Sequence, residues 1–186
     1  MNDFENTKEL FPMERGIDEI HPFTTVEIHV FGKGTETIKF YPENVALKIE
    51  RGVPHTAKNG LKTIETEMTE LLMTGESELF GQMTLKGGSQ LVEDKTRKIT
   101  GKIIEMEPGK RFPAENYFDV LLEIETQYGV LMNKKPEHMV AHITDIPPDF
   151  AKTPYQSTTE INLYRKDDLD SAPIGAIINV QHASDS

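Results

Sequence analysis

From Phe23 onward, apolar and polar positions exchange every second residue, in short stretches divided by turn residues. A period of two puts successive side chains on opposite faces of an extended strand. Over 25–31, Val26, Ile28 and Val30 share one face, and Glu27 and His29 share the other. Gly32-Lys33-Gly34 then supplies a turn, because glycine accepts the positive φ that tight hairpins require. The chain returns over 35–40 with Ile38 and Phe40 on one side, and a third run carries Val45, Leu47 and Ile49. Residues 54–60 read as a loop with Asn59-Gly60 as its turn.

The stretch 61–73 fits two periods. Ile64, Met68, Leu71 and Leu72 would make a helical stripe, whereas Ile64, Thr66 and Met68 would make a strand face. The strand reading is preferred because the neighbouring segments are strands. It requires a bulge near Thr69-Glu70 to bring Leu71 and Met73 inward.

Further runs follow: Leu79 to Leu85, ending at Gly87-Gly88, then Ile99 to Met106, closed by Pro108-Gly109. Phe118, Val120, Leu122 and Ile124 form the cleanest core face, and Leu121 implies that this strand is partly covered on both sides. A hairpin turns at Gln127-Tyr128-Gly129. The next run starts after Asn133-Lys134-Lys135-Pro136 and stops at Pro147-Pro148, and two last runs cover 160–164 and 174–182. About ten short strands with turn signals between them are the pattern of an antiparallel sandwich or barrel. The expected fold is all-β: an antiparallel β-sandwich, jelly-roll-like or Greek-key, over 21–182. Residues 1–20 should form an arm or a short helix capped by Asn6 or Thr7 and ended by Gly16, and 183–186 a disordered tail.

Composition narrows the chemistry. With 186 residues the chain is long enough for one self-sufficient core. It has no cysteine, so disulfides, thiolate metal sites and cysteine nucleophiles are excluded together. The net charge of −11 disfavours nucleic acid and anionic lipid, and the basic runs at Lys95 to Lys98 and at Lys134-Lys135 are short and sit beside turns. No apolar run approaches a membrane span, and Met1 to Glu5 has neither the basic nor the apolar region of a secretory leader. A soluble, acidic protein is therefore expected, cytoplasmic by preference with a leaderless or processed secreted form as the alternative, and with no nucleic-acid and no membrane partner.

Candidate sites are weak. His138 and His142 would lie one turn apart on a helix and could share a metal. On a strand, which the segment favours, they sit roughly 13 Å apart and cannot. Asp167, Asp168 and Asp170 crowd one loop without the spacing of a calcium loop, so a solvated acidic loop is the ordinary reading. The pairs Glu65/Glu67, Glu105/Glu107 and Glu123/Glu125 would each share a strand face about 6–7 Å apart, within the range of glycosidase carboxylates but also usual on any wet sheet face. Nucleophile elbows and phosphate loops are missing. No cofactor is expected. Tyr117 and Tyr128 are candidates for a binding surface.

Three segments carry a resemblance: Phe112-Pro113-Ala114-Glu115-Asn116-Tyr117-Phe118-Asp119-Val120, then Gly129 to Pro136, then Ile143-Thr144-Asp145-Ile146-Pro147-Pro148. Together they resemble a bacterial family of uncharacterised proteins known only as a domain of unknown function, with FPAxxxFDV, LxNxxP and IPP motifs. The resemblance spans about residues 20 to 182. It implies a β-rich domain, and many members of that family are secreted. It brings no activity, so no site residue transfers. The shared prolines and Asn133 read as turn-fixing, and Phe118 and Val120 as core.

The preferred functional expectation is a non-enzymatic sandwich that binds a protein partner or a second copy of itself. Two alternatives remain. One is a carbohydrate-active or other hydrolase using paired carboxylates, and the other is a metal-assisted His/Asp site.

Overall fold

The computed structural model describes residues 14–43, 47–149, 152–157 and 159–183. The expected capped helix near Asn6 and the position of Val45 lie outside the described residues. In chain order the strands are β1 (Gly16–Ile20), β2 (Phe23–Val30), β3 (Gly34–Pro42), β4 (Leu47–Arg51), β5 (His55–Thr56), β6 (Lys62–Ser77) and β7 (Gly81–Gly87). They continue with β8 (Ile99–Glu107), β9 (Lys110–Val120), β10 (Leu122–Thr126), β11 (Gly129–Asn133), β12 (Glu137–Ile143), β13 (Tyr155–Ser157), β14 (Ile161–Arg165) and β15 (Gly175–Ala183). Every pairing is antiparallel, so the all-β expectation holds.

Many of these strands are pieces of longer ribbons. β7 pairs the C-terminal part of β6, from Leu71↔Gly87 to Ser77↔Gly81, and β8 continues along the same side from Met68↔Ile99 to Thr63↔Ile104. β10 pairs β7 while β9 pairs β8, and β11 pairs β10 while β12 pairs β9. β14 and β13 continue this pattern against β11 and β12. β15 receives both β13 and β14 on one side and β2 on the other. On the far side of β6, β3, β4 and β5 follow one another, and β1 lies on β4 as β2 lies on β3.

Merged in this way, the chain makes an up-and-down circuit of eight ribbons: β1/β2, β3/β4/β5, β6, β7/β8, β9/β10, β11/β12, β13/β14 and β15, closed by β15 on β2. The ladder is thus one continuous sheet closed on itself, in the manner of an up-and-down barrel. Alternation alone does not separate this arrangement from two stacked sheets, since both bury every second side chain. The deciding contact, β15 against β2, joins the two ends of the chain.

Two local features make the circuit possible. At Thr69, β6 carries one residue more than its partner, because Lys48 opposes Glu70 and Ile49 opposes Met68. This is the bulge expected from the sequence. It changes which parity faces inward, from Ile64, Thr66 and Met68 to Leu71 and Met73, and marks where β6 passes from β8 to β7. Gly88 (φ +92) seats the following loop on the bulge, where a Cβ would meet the Thr69 carbonyl oxygen at 2.3 Å.

The second feature is a line of interruptions crossing four adjacent ribbons at 88–98, 121, 134–136 and 159–160. Asn133 and Arg97 tie this line together. The Asn133 amide nitrogen donates to the carbonyls of Val120 (3.0 Å) and Lys135 (2.8 Å), and its oxygen accepts from Leu122 N at 2.7 Å. The buried Arg97 guanidinium donates to the carbonyls of Asn133 and Leu122, both at 3.0 Å. Backbone groups that the broken ladder would leave unpaired are satisfied in this way. The interior is filled mainly by apolar side chains, Val26, Ile28, Phe40, Ile64, Met83, Phe118, Ile124, Ile143 and Ile177 among others, with a few buried polar groups such as Thr24, Asn116, Glu137 and His182. The expected arm turns out to include a strand, since β1 begins at Gly16.

Candidate functional site

An up-and-down barrel gathers alternate turns at the same end. Here the β2–β3, β6–β7, β10–β11 and β14–β15 connections meet around a cavity of about 500 Å³. Each rim segment is fixed locally. Ser77 Oγ accepts from Leu79 N (3.1 Å) and Phe80 N (2.9 Å) while donating to Glu36 Oε2 at 2.6 Å. Thr126 Oγ1 donates to the Gly129 carbonyl at 2.8 Å and accepts from Tyr128 N at 3.1 Å. Phe31 N donates to the Ile174 carbonyl at 3.0 Å, fastening the β2–β3 turn to the long loop before β15.

The walls of this mouth are apolar: Val30, Phe31, Leu79, Phe80, Leu131 and Ile174. Two cations, Lys33 and Arg165, line it with Tyr128, and among the described residues no carboxylate does. Arg165 Nη1 donates to the Tyr128 carbonyl at 3.4 Å. Among the described residues neither cation has a carboxylate within ion-pair distance. Phe31 and Tyr128 leave 44% and 61% of their surface in solvent. In a chain of net charge −11 this is a local reversal of sign on an apolar opening. Such a place suits a molecule with an apolar body and an anionic group.

The residues singled out from the sequence fall in several places. Tyr128 belongs to the mouth, whereas Tyr117 lies on the outer wall of β9, its ring 5.0 Å from that of His138. Burial raises the Tyr117 phenol, with Lys102 pulling the other way. His138 and His142 both sit on the strand β12, each facing its own carboxylate: Asp119 at 2.8 Å and Glu115 at 4.0 Å. Among the described residues no group of three His, Asp or Glu side chains could hold a metal. Asp167, Asp168 and Asp170 are exposed on the β14–β15 loop, whose later residues Pro173 and Ile174 line the mouth.

Each of the paired carboxylates has partners of its own. Glu65 faces Lys102 (3.5 Å) and His55 (3.9 Å), and Glu67 accepts from Ser89 Oγ at 2.6 Å. Glu105 accepts from Lys62 N at 2.9 Å, and Glu123 and Glu125 pair with Lys166 (3.1 Å) and Lys86 (2.8 Å). An open groove beside β1, β4 and β6 does collect Glu50, Glu65 and Glu67, together with Arg15 and Arg51. Lys33 and Arg165 were invisible as a pair because they lie in different turns. Only the closure of the ring brings them to one opening.

Among the described residues no helix is long and apolar enough to cross a membrane. No protein-family model and no curated protein matches the chain. A solved structure, that of DynF from the dynemicin biosynthesis pathway of Micromonospora chersina, superposes with a TM-score of 0.75, covering 92% of this chain and 81% of that one at 20% sequence identity. At that identity the likeness is one of fold: this chain has the β architecture also found in DynF.

Proposed function

We propose that this protein is a small-molecule-binding barrel that takes an amphipathic anion at its mouth. One observation carries the reading: Lys33 and Arg165, which have no carboxylate partner among the described residues, line a cavity of about 500 Å³ of mixed polar and apolar surface whose apolar part comes from Val30, Phe31, Leu79, Phe80, Leu131 and Ile174. That volume falls inside the roughly 300–1,000 Å³ usual for ligand pockets. Each methylene buried there contributes ~0.8 kcal/mol. Association costs at least ~4 kcal/mol, so a chain of about ten carbons by itself binds in the millimolar range or weaker. The two exposed cations add ~0.2–1 kcal/mol each and chiefly select the sign of the head group. DynF is a protein of a biosynthetic pathway, and handling of a small molecule is the role we carry across to this chain.

Calorimetry with straight-chain carboxylates and the alcohols of equal length tests this. The carboxylate binds several-fold more tightly, and the double variant K33Q/R165Q abolishes that preference while retaining alcohol binding. Equal affinities in the unaltered protein, or no binding of either series, would overturn the proposal.

A second reading, association with a protein partner or a second copy, has one specific support. β1 pairs only with β4, its other edge has no partner strand among the described residues, and Ile17 is 65% exposed there. Sedimentation across concentration distinguishes it, with Ile17→Lys expected to dissociate any dimer.

A further inference from the structure

The wall has an open edge at β1. One side of β1 pairs with β4, from Gly16↔Arg51 to Ile20↔Leu47, and among the described residues no strand lies along the other. β15, which closes the ring on β2, stops at Ala183 opposite Phe23 and so does not run on beside β1. Such an edge offers backbone N–H and C=O groups to any extended chain that reaches it.

Proteins commonly guard an edge with lysine, proline or a charge turned toward the interior. β1 has an inward charge in Asp18, which is 6% exposed, but Arg51 neutralises it through hydrogen bonds of 2.6 Å and 3.2 Å. The same guanidinium lies against Gly16, where a Cβ would come within 2.4 Å of Nη2. The inner face of β1 is therefore filled, and recognition falls to the outer one. Arg15, Ile17 and Glu19 are all exposed there, sharing one face at a period of two. Ile17 is the most exposed large apolar side chain among the described residues.

The order cation, apolar residue, anion complements itself when reversed. In an antiparallel pair of copies with the two-fold axis at Ile17, Ile17 meets Ile17, and Arg15 of each copy meets Glu19 of the other. Gly16 then opposes Asp18, whose carboxylate is held inward by Arg51. Moving the axis to Asp18 sets Glu19 against Ile17, and moving it to Gly16 sets Arg15 against Ile17. At Glu19 or at Arg15 it brings like charges together. One register alone matches opposite charges, and opposite cross-strand charges stabilise whereas like ones do not.

We propose that β1 is a self-pairing edge through which a second copy of this chain docks, antiparallel and centred on Ile17. The inference rests on the association reading above and adds its occupant, direction and register. A ladder of five residues is a small interface, so the dimer is weak and reversible.

Sedimentation of the full chain across concentration, with charge inversions, tests this. Arg15→Glu and Glu19→Arg each weaken the dimer about tenfold, and an equimolar mixture of the two variants regains the original affinity as a heterodimer. Glu19→Arg is the sharper arm, because it reduces a net charge of −11 and general repulsion alone would make it associate better. The chain has no cysteine, so Ile17→Cys supplies a single thiol. Directly opposed residues have Cα atoms ~4.5–5.5 Å apart, within disulfide range, so mild oxidation links Ile17→Cys and not the equally accessible control Met106→Cys. A dimer indifferent to both inversions, or unlinked through Ile17→Cys, would overturn this register and leave association by another surface standing. A monomer at every concentration, whether the edge stays idle or is taken by the chain's own residues 1–13, would overturn both.

Discussion

Replacing Glu137 by glutamine should change how stability varies with pH, and in a direction fixed by the burial of two residues. The folded protein holds the Glu137 proton more tightly than the unfolded chain, since desolvation raises the carboxyl from 4.5 to about 6, against the opposing pull of Ser157 and His138. That gap is worth about 2 kcal/mol. This stabilisation is fully present below about pH 4.5 and is lost as pH rises through about 6. His182 has the opposite sign. Burial lowers its imidazole from 6.5 to about 4, so about 3 kcal/mol of relative stability is lost as pH falls through that window. Between roughly pH 4.5 and 6 the two slopes nearly cancel in the unaltered protein. In Glu137→Gln only the His182 slope remains, and stability should climb by ~1.4 kcal/mol per pH unit across that interval. Urea unfolding at half-unit steps from pH 4 to 8 measures both curves. Parallel curves for the two proteins would refute the assignment of Glu137 as the group that gains a proton on folding.

Removing the Asn133 side chain leaves the Leu122 amide, the Val120 carbonyl and part of the Arg97 contact without partners, so Asn133→Ala should cost ~2–4 kcal/mol, read as a lower urea midpoint with little change in slope. Gly101→Ala should be at least as damaging, because its Cβ would lie 2.0 Å from the Tyr117 carbonyl oxygen on β9, and a thermal scan should show the loss. By contrast, His138→Ala removes an exposed cross-strand pair and a ring contact with Tyr117, and should shift stability by only about 1 kcal/mol while leaving metal content unaltered.

Much of the wall was legible from residue order. Val26, Ile28 and Val30 face inward as their spacing predicts, and the parity change in β6 demanded a bulge that is found at Thr69. Asn133 was recognisable as turn-fixing, although its bonds reach two strands that sequence could not name. The strand character of β12 separated His138 from His142 as expected. What was not legible depends on closure. Period-two alternation is identical for stacked sheets and for a ring, and the pairing of β15 with β2 that distinguishes them spans almost the whole chain. The mouth and the burial of Glu137 and His182 follow from that pairing alone. One clue was available: Glu137 shares parity with Met139 and Ile143, so a strand there had to turn a carboxyl inward.

The line of interruptions divides half of the barrel wall into an upper and a lower storey, while β6 and β15 run through both as uprights. Hairpins above that line can lengthen, shorten or change sequence without disturbing the register below, because the Asn133–Arg97 clasp holds three of the four ribbons where they cross it. The scaffold therefore allows its opening to be reshaped for new guests by exchanging two or three loops, with the lower storey serving as an unchanged foundation.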